Sequence, residues 1–104
     1  MLLEEFKKEL KLVGQSLESK LQTFYHDVKE HDDEIILVFS AGIYRLRIFF
    51  KTDDISENIT TFYFDIATSY VDIDYISGEV FYADLKKDIE KVVKFFDSYI
   101  EYYN

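Results

Sequence analysis

Apolar residues near the start of the chain recur at intervals of three and four. This spacing places side chains on one face of an α-helix, so the pattern predicts an amphipathic helix over residues 2 to 30. Gly14 lies inside this segment, where glycine costs about 1 kcal/mol relative to alanine, and we interpret it as the position of a bend. The apolar positions are Leu3, Phe6, Leu10, Val13, Leu17, Leu21, Phe24 and Val28.

Two segments of alternating apolar residues follow, at residues 34 to 40 and 43 to 50. Alternation with a period of two is typical of a strand with one buried face. Ala41 and Gly42 form the predicted two-residue hairpin loop, in which glycine can take a positive φ. This loop fixes the pairing of the two strands. The predicted partners on the buried face are Ile35 with Ile48, Leu37 with Leu46, and Phe39 with Tyr44.

Residues 51 to 58 are polar and lack periodicity, so we expect a loop there. Alternating apolar residues then predict strands at residues 59 to 66 and 70 to 76. Residues 79 to 83 fit a strand, a turn or a first helical turn, and all three remain open. The predicted core residues of the two strands are Phe62, Phe64 and Ile66 on the first, and Val71, Ile73 and Tyr75 on the second.

Helical spacing returns at the end of the chain. A second amphipathic helix is predicted from about Asp84, a residue type that favours the N-cap position, to the C-terminus. Tyr99 and Tyr102 lie on the flanks of its apolar stripe, where they either pack at the edge of the core or form a dimer contact. The stripe itself contains Leu85, Ile89, Val92, Val93, Phe96, Ile100 and Tyr103.

The order of these elements predicts the fold class. We expect a single α+β domain over residues 1 to 104, with a four-stranded antiparallel meander sheet between an N-terminal and a C-terminal helix, α-β-β-β-β-α. Each helix has one apolar face, so both are expected to pack side by side on one face of the sheet. The other sheet face is then open.

Composition agrees with one folded domain. Hydrophobic residues make up 48% of the 104 residues, which excludes the disordered class, and the absence of cysteine excludes disulfides and thiolate chemistry. The acidic N-terminus is unlike a signal peptide, and no uncharged stretch approaches the roughly 20 residues of a membrane span. We therefore expect a cytoplasmic protein that is not an enzyme and has no cofactor.

The net charge of −9 is concentrated in the middle of the chain. Residues 30 to 79 contain eleven acidic residues and three basic ones, a balance of −8, whereas the predicted helices are nearly neutral. An acidic surface repels phosphate, so nucleic acid and anionic membranes are not expected as partners. The charge favours a basic protein partner, although it also serves solubility.

Two aspartates alternate with apolar residues in the predicted last strand. A four-residue loop places Asp65 opposite Asp72, and a small shift in register places it opposite Asp74. Facing like charges are unfavourable, so a compensating charge is expected. Arg45 and Arg47 on the same open face, a divalent cation or a basic partner could each supply it. The aspartates are therefore solvated beside arginine, bound to a protein or bound to a metal ion.

A protein-binding face is the sharpest functional interpretation of this region. Tyrosine beside charge on an open sheet is typical of recognition surfaces. A metal cluster at a helix end, formed by His26 and Glu30 near His31, Asp32 and Asp33, is a weaker alternative. The predicted partner-binding residues are Tyr63, Asp65, Tyr70, Asp72, Asp74, Asp53 and Asp54.

The sequence therefore predicts a small acidic protein-binding module, most simply a stoichiometric inhibitor that occludes a basic site on a nucleic-acid-handling enzyme. In size and charge it is similar to bacterial immunity proteins and phage-encoded inhibitors of host defence. One alternative is a small enzyme that binds a divalent metal through Asp65, Asp72 and Asp74. Another is a structural subunit that forms a homodimer through a sheet edge or a helix.

Overall fold

A computed structural model describes residues 2–20, 25–55, 59–67, 72–81 and 84–103. Its strands form one antiparallel sheet in the order β1-β2-β3-β4-β5, with a helix before the first strand and another after the last. The α+β class and the antiparallel meander between two terminal helices are therefore confirmed. The elements are α1 (Leu2–Lys20), β1 (Tyr25–His31), β2 (Glu34–Ala41), β3 (Tyr44–Lys51), a 3₁₀ helix (Thr52–Asp54), β4 (Ile59–Ala67), β5 (Asp72–Phe81) and α2 (Leu85–Tyr103).

Strand β1 is an addition to the four predicted strands. The predicted first helix is wrong from Tyr25 onward, because the chain there pairs residue by residue with β2. Asp32 and Asp33 form the connecting turn, and Asp32 has a φ of 53°, a left-handed conformation that aspartate adopts more readily than most residues. Val28 fits a helical stripe and a strand equally well, so its spacing did not distinguish the two.

The hairpin between β2 and β3 has the predicted buried faces but a different loop. Its two loop residues are Gly42 and Ile43, and Gly42 has the positive φ, 62°, that this position of a tight turn favours. The predicted partners are therefore wrong, whereas the faces are right, because the register is displaced by an even number of residues. The observed partners are Ile35 with Phe50, Leu37 with Ile48, and Phe39 with Leu46.

Both helices pack on one face of the sheet, as predicted. Phe6 of α1 makes an edge-to-face contact with Phe50 of β3, with ring centroids 5.1 Å apart. Phe95 of α2 contacts Phe64 of β4 in the same manner at 6.1 Å. Neither described helix is long and apolar enough to cross a membrane. The core consists of Phe6, Leu10, Val13, Leu17, Ile35, Leu37, Phe39, Leu46, Ile48, Phe50, Phe64, Ile66, Leu85, Ile89, Val92, Val93 and Phe96.

The aromatic C-terminal segment divides as its helical spacing predicts. Phe96 is fully buried, and Tyr99 is half-buried with its ring 6.1 Å from that of Tyr44. Tyr102 is 81% exposed. The predicted core residue Val71 lies outside the described residues.

The pairing of β4 with β5 follows the alternative predicted register at Ile66 and Ala67 but departs from both predicted registers at Asp65. Asp65 pairs with Tyr75, and Ala67 pairs with Asp72, so Asp65 faces neither of the predicted aspartates. A β-bulge shifts the register next to Asp65, and Asp74 has no partner in β4. The prediction assumed an unbroken alternation on both strands, and an inserted residue breaks that assumption.

Candidate functional site

The face of the sheet opposite the helices is the candidate site, and we call it the open face. In β3 the buried residues Leu46 and Ile48 point toward the helices, so Arg45, Arg47 and Phe49 point the other way. No helix or strand of the described residues covers this side. The centre of the open face contains Ile36, Val38, Arg47, Phe49, Tyr63 and Asp65.

Arg47 and Asp65 form a two-point ion pair at this centre. The two residues are directly opposite each other on β3 and β4. The Nε atom of Arg47 donates to Oδ1 of Asp65 at 2.8 Å, and Nη2 donates to Oδ2 at 2.6 Å. The sequence suggested an arginine, a divalent cation or a basic partner as the charge that compensates Asp65. The structure shows that Arg47 supplies it. The charge of Asp65 is therefore neutralised within the chain.

Two stacked aromatic rings lie beside the ion pair. The rings of Phe49 and Tyr63 are nearly parallel, at 4° and 4.6 Å between centroids, and the Tyr63 hydroxyl donates to Oε1 of Glu34 at 2.5 Å. Burial, followed by this hydrogen bond, raises the pKa of Tyr63 to about 12, so the hydroxyl stays protonated at neutral pH. The half-buried Ile36 and the buried Val38 extend the apolar surface.

Four exposed aspartates meet at one end of the sheet, and we call this group the acidic end. The backbone N–H and the hydroxyl of Thr52 both donate to the carbonyl oxygen of Asp33, at 2.8 and 3.0 Å, which ties the 3₁₀ helix to the turn between β1 and β2. The Thr61 hydroxyl donates to Oδ2 of Asp54 at 2.6 Å, which ties the same helix to β4. The acidic end consists of Asp32, Asp33, Asp53 and Asp54.

The predicted site residues do not converge on one place. Asp53 and Asp54 lie at the acidic end, beside Thr61 near the start of β4, whereas Asp72 pairs with Ala67 at the end of that strand. Six residues of strand separate Thr61 from Ala67, a distance of about 20 Å at the usual rise per residue. Tyr70 lies outside the described residues. The predicted set is therefore spread over the length of the sheet.

Sequence reasoning missed three members of the site. Asp32 and Asp33 were considered only as possible metal ligands and not as part of a binding surface, because the turn that presents them depends on strand β1, which was predicted as helix. Phe49 occupies an outward position of β3, and its alternation with Ile48 and Phe50 was the available signal. A large aromatic residue on the solvent-facing side of a strand is itself a signal of a functional surface.

The residues of the weaker metal hypothesis have partners within the chain. Nδ1 of His26 is hydrogen-bonded to Oε2 of Glu18 on α1, and this bond lowers the pKa of Glu18. The ammonium group of Lys7 donates to Glu30 at 2.6 Å, and this bond raises the pKa of Lys7. Among the described residues, no group of three or more potential metal ligands is close enough to hold an ion.

No protein-family model matches this chain, and no curated protein or solved structure is significantly similar to it. The surface of the chain is therefore the guide to its function.

Proposed function

We propose that this protein is a small acidic binding module that acts as a stoichiometric inhibitor, of the immunity-protein or anti-defence type. It occludes a basic site on a target protein such as a nucleic-acid-handling enzyme. The observation that carries the proposal is an uncovered sheet face with a fixed aromatic pair, Phe49 and Tyr63, next to four exposed aspartates.

The aromatic pair supplies the contact part of such an interface. Tyrosine, phenylalanine and arginine are enriched in protein interfaces, and Arg47 lies 5.5 Å from the centre of the Phe49 ring. The rings are held by stacking and by the Tyr63 hydrogen bond to Glu34. Side chains that are ordered before binding lose less conformational entropy on binding, so this patch is suited to a durable contact.

The acidic end supplies the charge part. Its four carboxylates are exposed, and the surrounding residues 30 to 79 have a net charge of −8. Negative charge attracts a basic protein surface and accelerates encounter with it. A basic site that binds nucleic acid is complementary to the same charge, so an acidic protein at that site excludes nucleic acid.

The metal-dependent enzyme is less well supported. Its proposed ligand Asp65 is engaged by Arg47 at both carboxylate oxygens, and it pairs with Tyr75 rather than with Asp72 or Asp74. A carboxylate held by arginine is a poor ligand for a cation. The dimerising subunit, by contrast, agrees with the position of β1 as an edge strand of the sheet.

The test is affinity capture from an extract of the native cells, with wild-type protein and with the double variant Asp53→Asn, Asp54→Asn as bait. The control is Glu9→Gln with Glu101→Gln, which removes the same charge from exposed positions on the two helices. We expect a basic partner that is retained by wild type and control and depleted by the acidic-end variant. The captured enzyme should lose activity in proportion to added protein, up to one equivalent.

Two results would contradict the proposal. One is a partner that the control loses and the acidic-end variant keeps, which would place the binding surface on the helices. The other is a captured enzyme that keeps full activity when saturated, which would exclude an inhibitor.

A further inference from the structure

Strand β1 forms one edge of the sheet. It pairs with β2 on one side, and no described strand pairs with its other side. Helix α1 contacts β1 on the helix-covered face, where Gly14 lies against the His26 ring. The pairing of β1 with β2 runs over seven residues without a bulge. The outer edge is therefore a regular row of backbone donors and acceptors.

The opposite edge of the sheet is less suitable for further pairing. Strand β5 contains the register shift opposite Asp65, and bulges twist an edge and interrupt its hydrogen-bonding pattern. Of the two edges, β1 is the one whose geometry permits another strand.

The sequence of β1, YHDVKEH, is complementary to itself when read in the opposite direction. With Val28 opposite Val28 of the partner subunit, Asp27 lies opposite Lys29 of the partner subunit, and His26 lies opposite Glu30 of the partner subunit. Each of these pairs occurs twice because the arrangement is symmetric. Opposite charges directly across an antiparallel pair are stabilising, and Asp27 with Lys29 is such a pair. The His26 and Glu30 side chains already bind Glu18 and Lys7 within their own chain, so the charge argument rests on Asp27 and Lys29.

This register is distinguished from its neighbours by charge. A slip of two residues in one direction places Lys29 opposite Lys29 of the partner subunit, and a slip in the other direction places Asp27 opposite Asp27 of the partner subunit. Both slips bring like charges together, which is unfavourable. Within the part of the chain that the structure describes, neither the Asp27 nor the Lys29 side chain has a hydrogen bond or an ion pair, and both residues are exposed.

We propose that two copies of this chain associate through their β1 edges, antiparallel and centred on Val28. The product is a continuous ten-stranded sheet, twice the five strands of one copy, with the helices of both copies on one side. A seven-residue edge is small compared with the roughly 1,200 Å² that a stable interface buries, so we expect a dissociation constant on the order of 100 µM. The two open faces then lie side by side, so the dimer presents its binding surface twice.

Sedimentation equilibrium over a concentration series, from about 10 µM to about 1 mM, tests the proposal because it covers the range expected for a small interface. Wild-type protein should shift from monomer to dimer across this range. Asp27→Lys and Lys29→Asp should each weaken dimerisation by about tenfold or more, since each converts two attractive pairs into two repulsive ones. The double variant with both substitutions keeps the net charge of −9 and should recover the wild-type affinity.

Mixing the two single variants gives a second test. Asp27→Lys carries two lysines on the edge, and Lys29→Asp carries two aspartates, so each should remain monomeric alone and the mixture should form a heterodimer. Circular dichroism checks that both variants are folded. Wild-type protein that stays monomeric throughout the series would overturn the proposal, and so would a dimer that both single variants retain. A dimer that the double exchange fails to restore would overturn the Val28 register.

Discussion

At the scale of single residues, Arg47 determines the character of the open face. It neutralises Asp65 through two hydrogen bonds and also lies over the ring of Phe49. The aspartate that the sequence presents as an exposed negative charge is thus part of a half-buried pair. The sequence predicted that Arg47 and Asp65 lie on the same face of the sheet. It did not supply the register that places them directly opposite each other, because that register depends on the loops on either side of β4.

Tyr63 leads to a prediction about stability at high pH. Its pKa is raised to about 12 in the folded state, so its stabilising effect is complete below the unfolded value of about 10 and is lost as the pH rises toward 12. Tyr63→Phe lacks this ionisation. We therefore expect the advantage of wild type over Tyr63→Phe in free energy of unfolding to shrink between pH 9 and pH 11, as measured by urea unfolding.

The control for this prediction is Tyr102→Phe, at a ring that is 81% exposed. It removes a tyrosine hydroxyl from an exposed position, and its free energy of unfolding relative to wild type is measured over the same pH interval. If the difference in free energy of unfolding between wild type and Tyr63→Phe stays constant from pH 9 to pH 11, the burial of Tyr63 and its hydrogen bond to Glu34 are not maintained in solution.

At the scale of secondary structure, the sequence predicted elements with a strong pattern and missed those set by pairing. Helix α2 and strands β2 to β4 have unambiguous periodicity, and their buried faces were predicted correctly. Strand β1 is mostly polar, with a single aliphatic residue, Val28, so only its pairing with β2 makes it a strand. The bulge beside Asp65 could not be predicted from the local sequence either, because it depends on how β4 and β5 are paired on its two sides.

The contact between α1 and β1 gives a prediction at this scale. A Cβ atom at Gly14 would lie 2.6 Å from Cδ2 of His26, a distance that real Cβ atoms do not show. Gly14→Ala should therefore destabilise the protein by about 1–2 kcal/mol, although alanine is the better helix former. In a His26→Ala background the obstruction is removed, and the same substitution should become neutral or stabilising. Urea unfolding of the four proteins measures this coupling.

If Gly14 instead serves as a bend in the helix, Gly14→Ala should lower the free energy of unfolding both in wild type and in the His26→Ala background. In that case alanine would destabilise to the same extent with and without His26. The double-mutant cycle thus separates close packing, which the structure shows, from the bend that the sequence suggested.

At the scale of the whole molecule, the proposed binding surface has two parts. The acidic end is formed by two turns that are 20 residues apart in the chain, and the aromatic pair comes from β3 and β4. The sequence predicted the sign of the charge and its location in the sheet region. It did not predict that Asp32 and Asp33 join Asp53 and Asp54, because that requires the β1–β2 turn.

This division predicts that the two parts act on different steps of binding. Exposed charge acts over distance and mainly raises the association rate, whereas a packed aromatic side chain acts after contact and mainly lowers the dissociation rate. Asp53→Asn with Asp54→Asn should therefore slow association with the captured partner and reduce its dependence on salt. Tyr63→Ala should leave association nearly unchanged and accelerate dissociation by about tenfold or more.

Matched controls lie on the helix side of the molecule. Glu9→Gln with Glu101→Gln removes the same charge as the acidic-end variant, and Phe95→Ala removes an aromatic ring that is 51% exposed. Surface plasmon resonance at two salt concentrations measures both rates for wild type and the four variants, after circular dichroism has shown that each is folded. If Phe95→Ala accelerates dissociation while Tyr63→Ala does not, the partner binds the helices, and the open face is only the solvated side of the sheet.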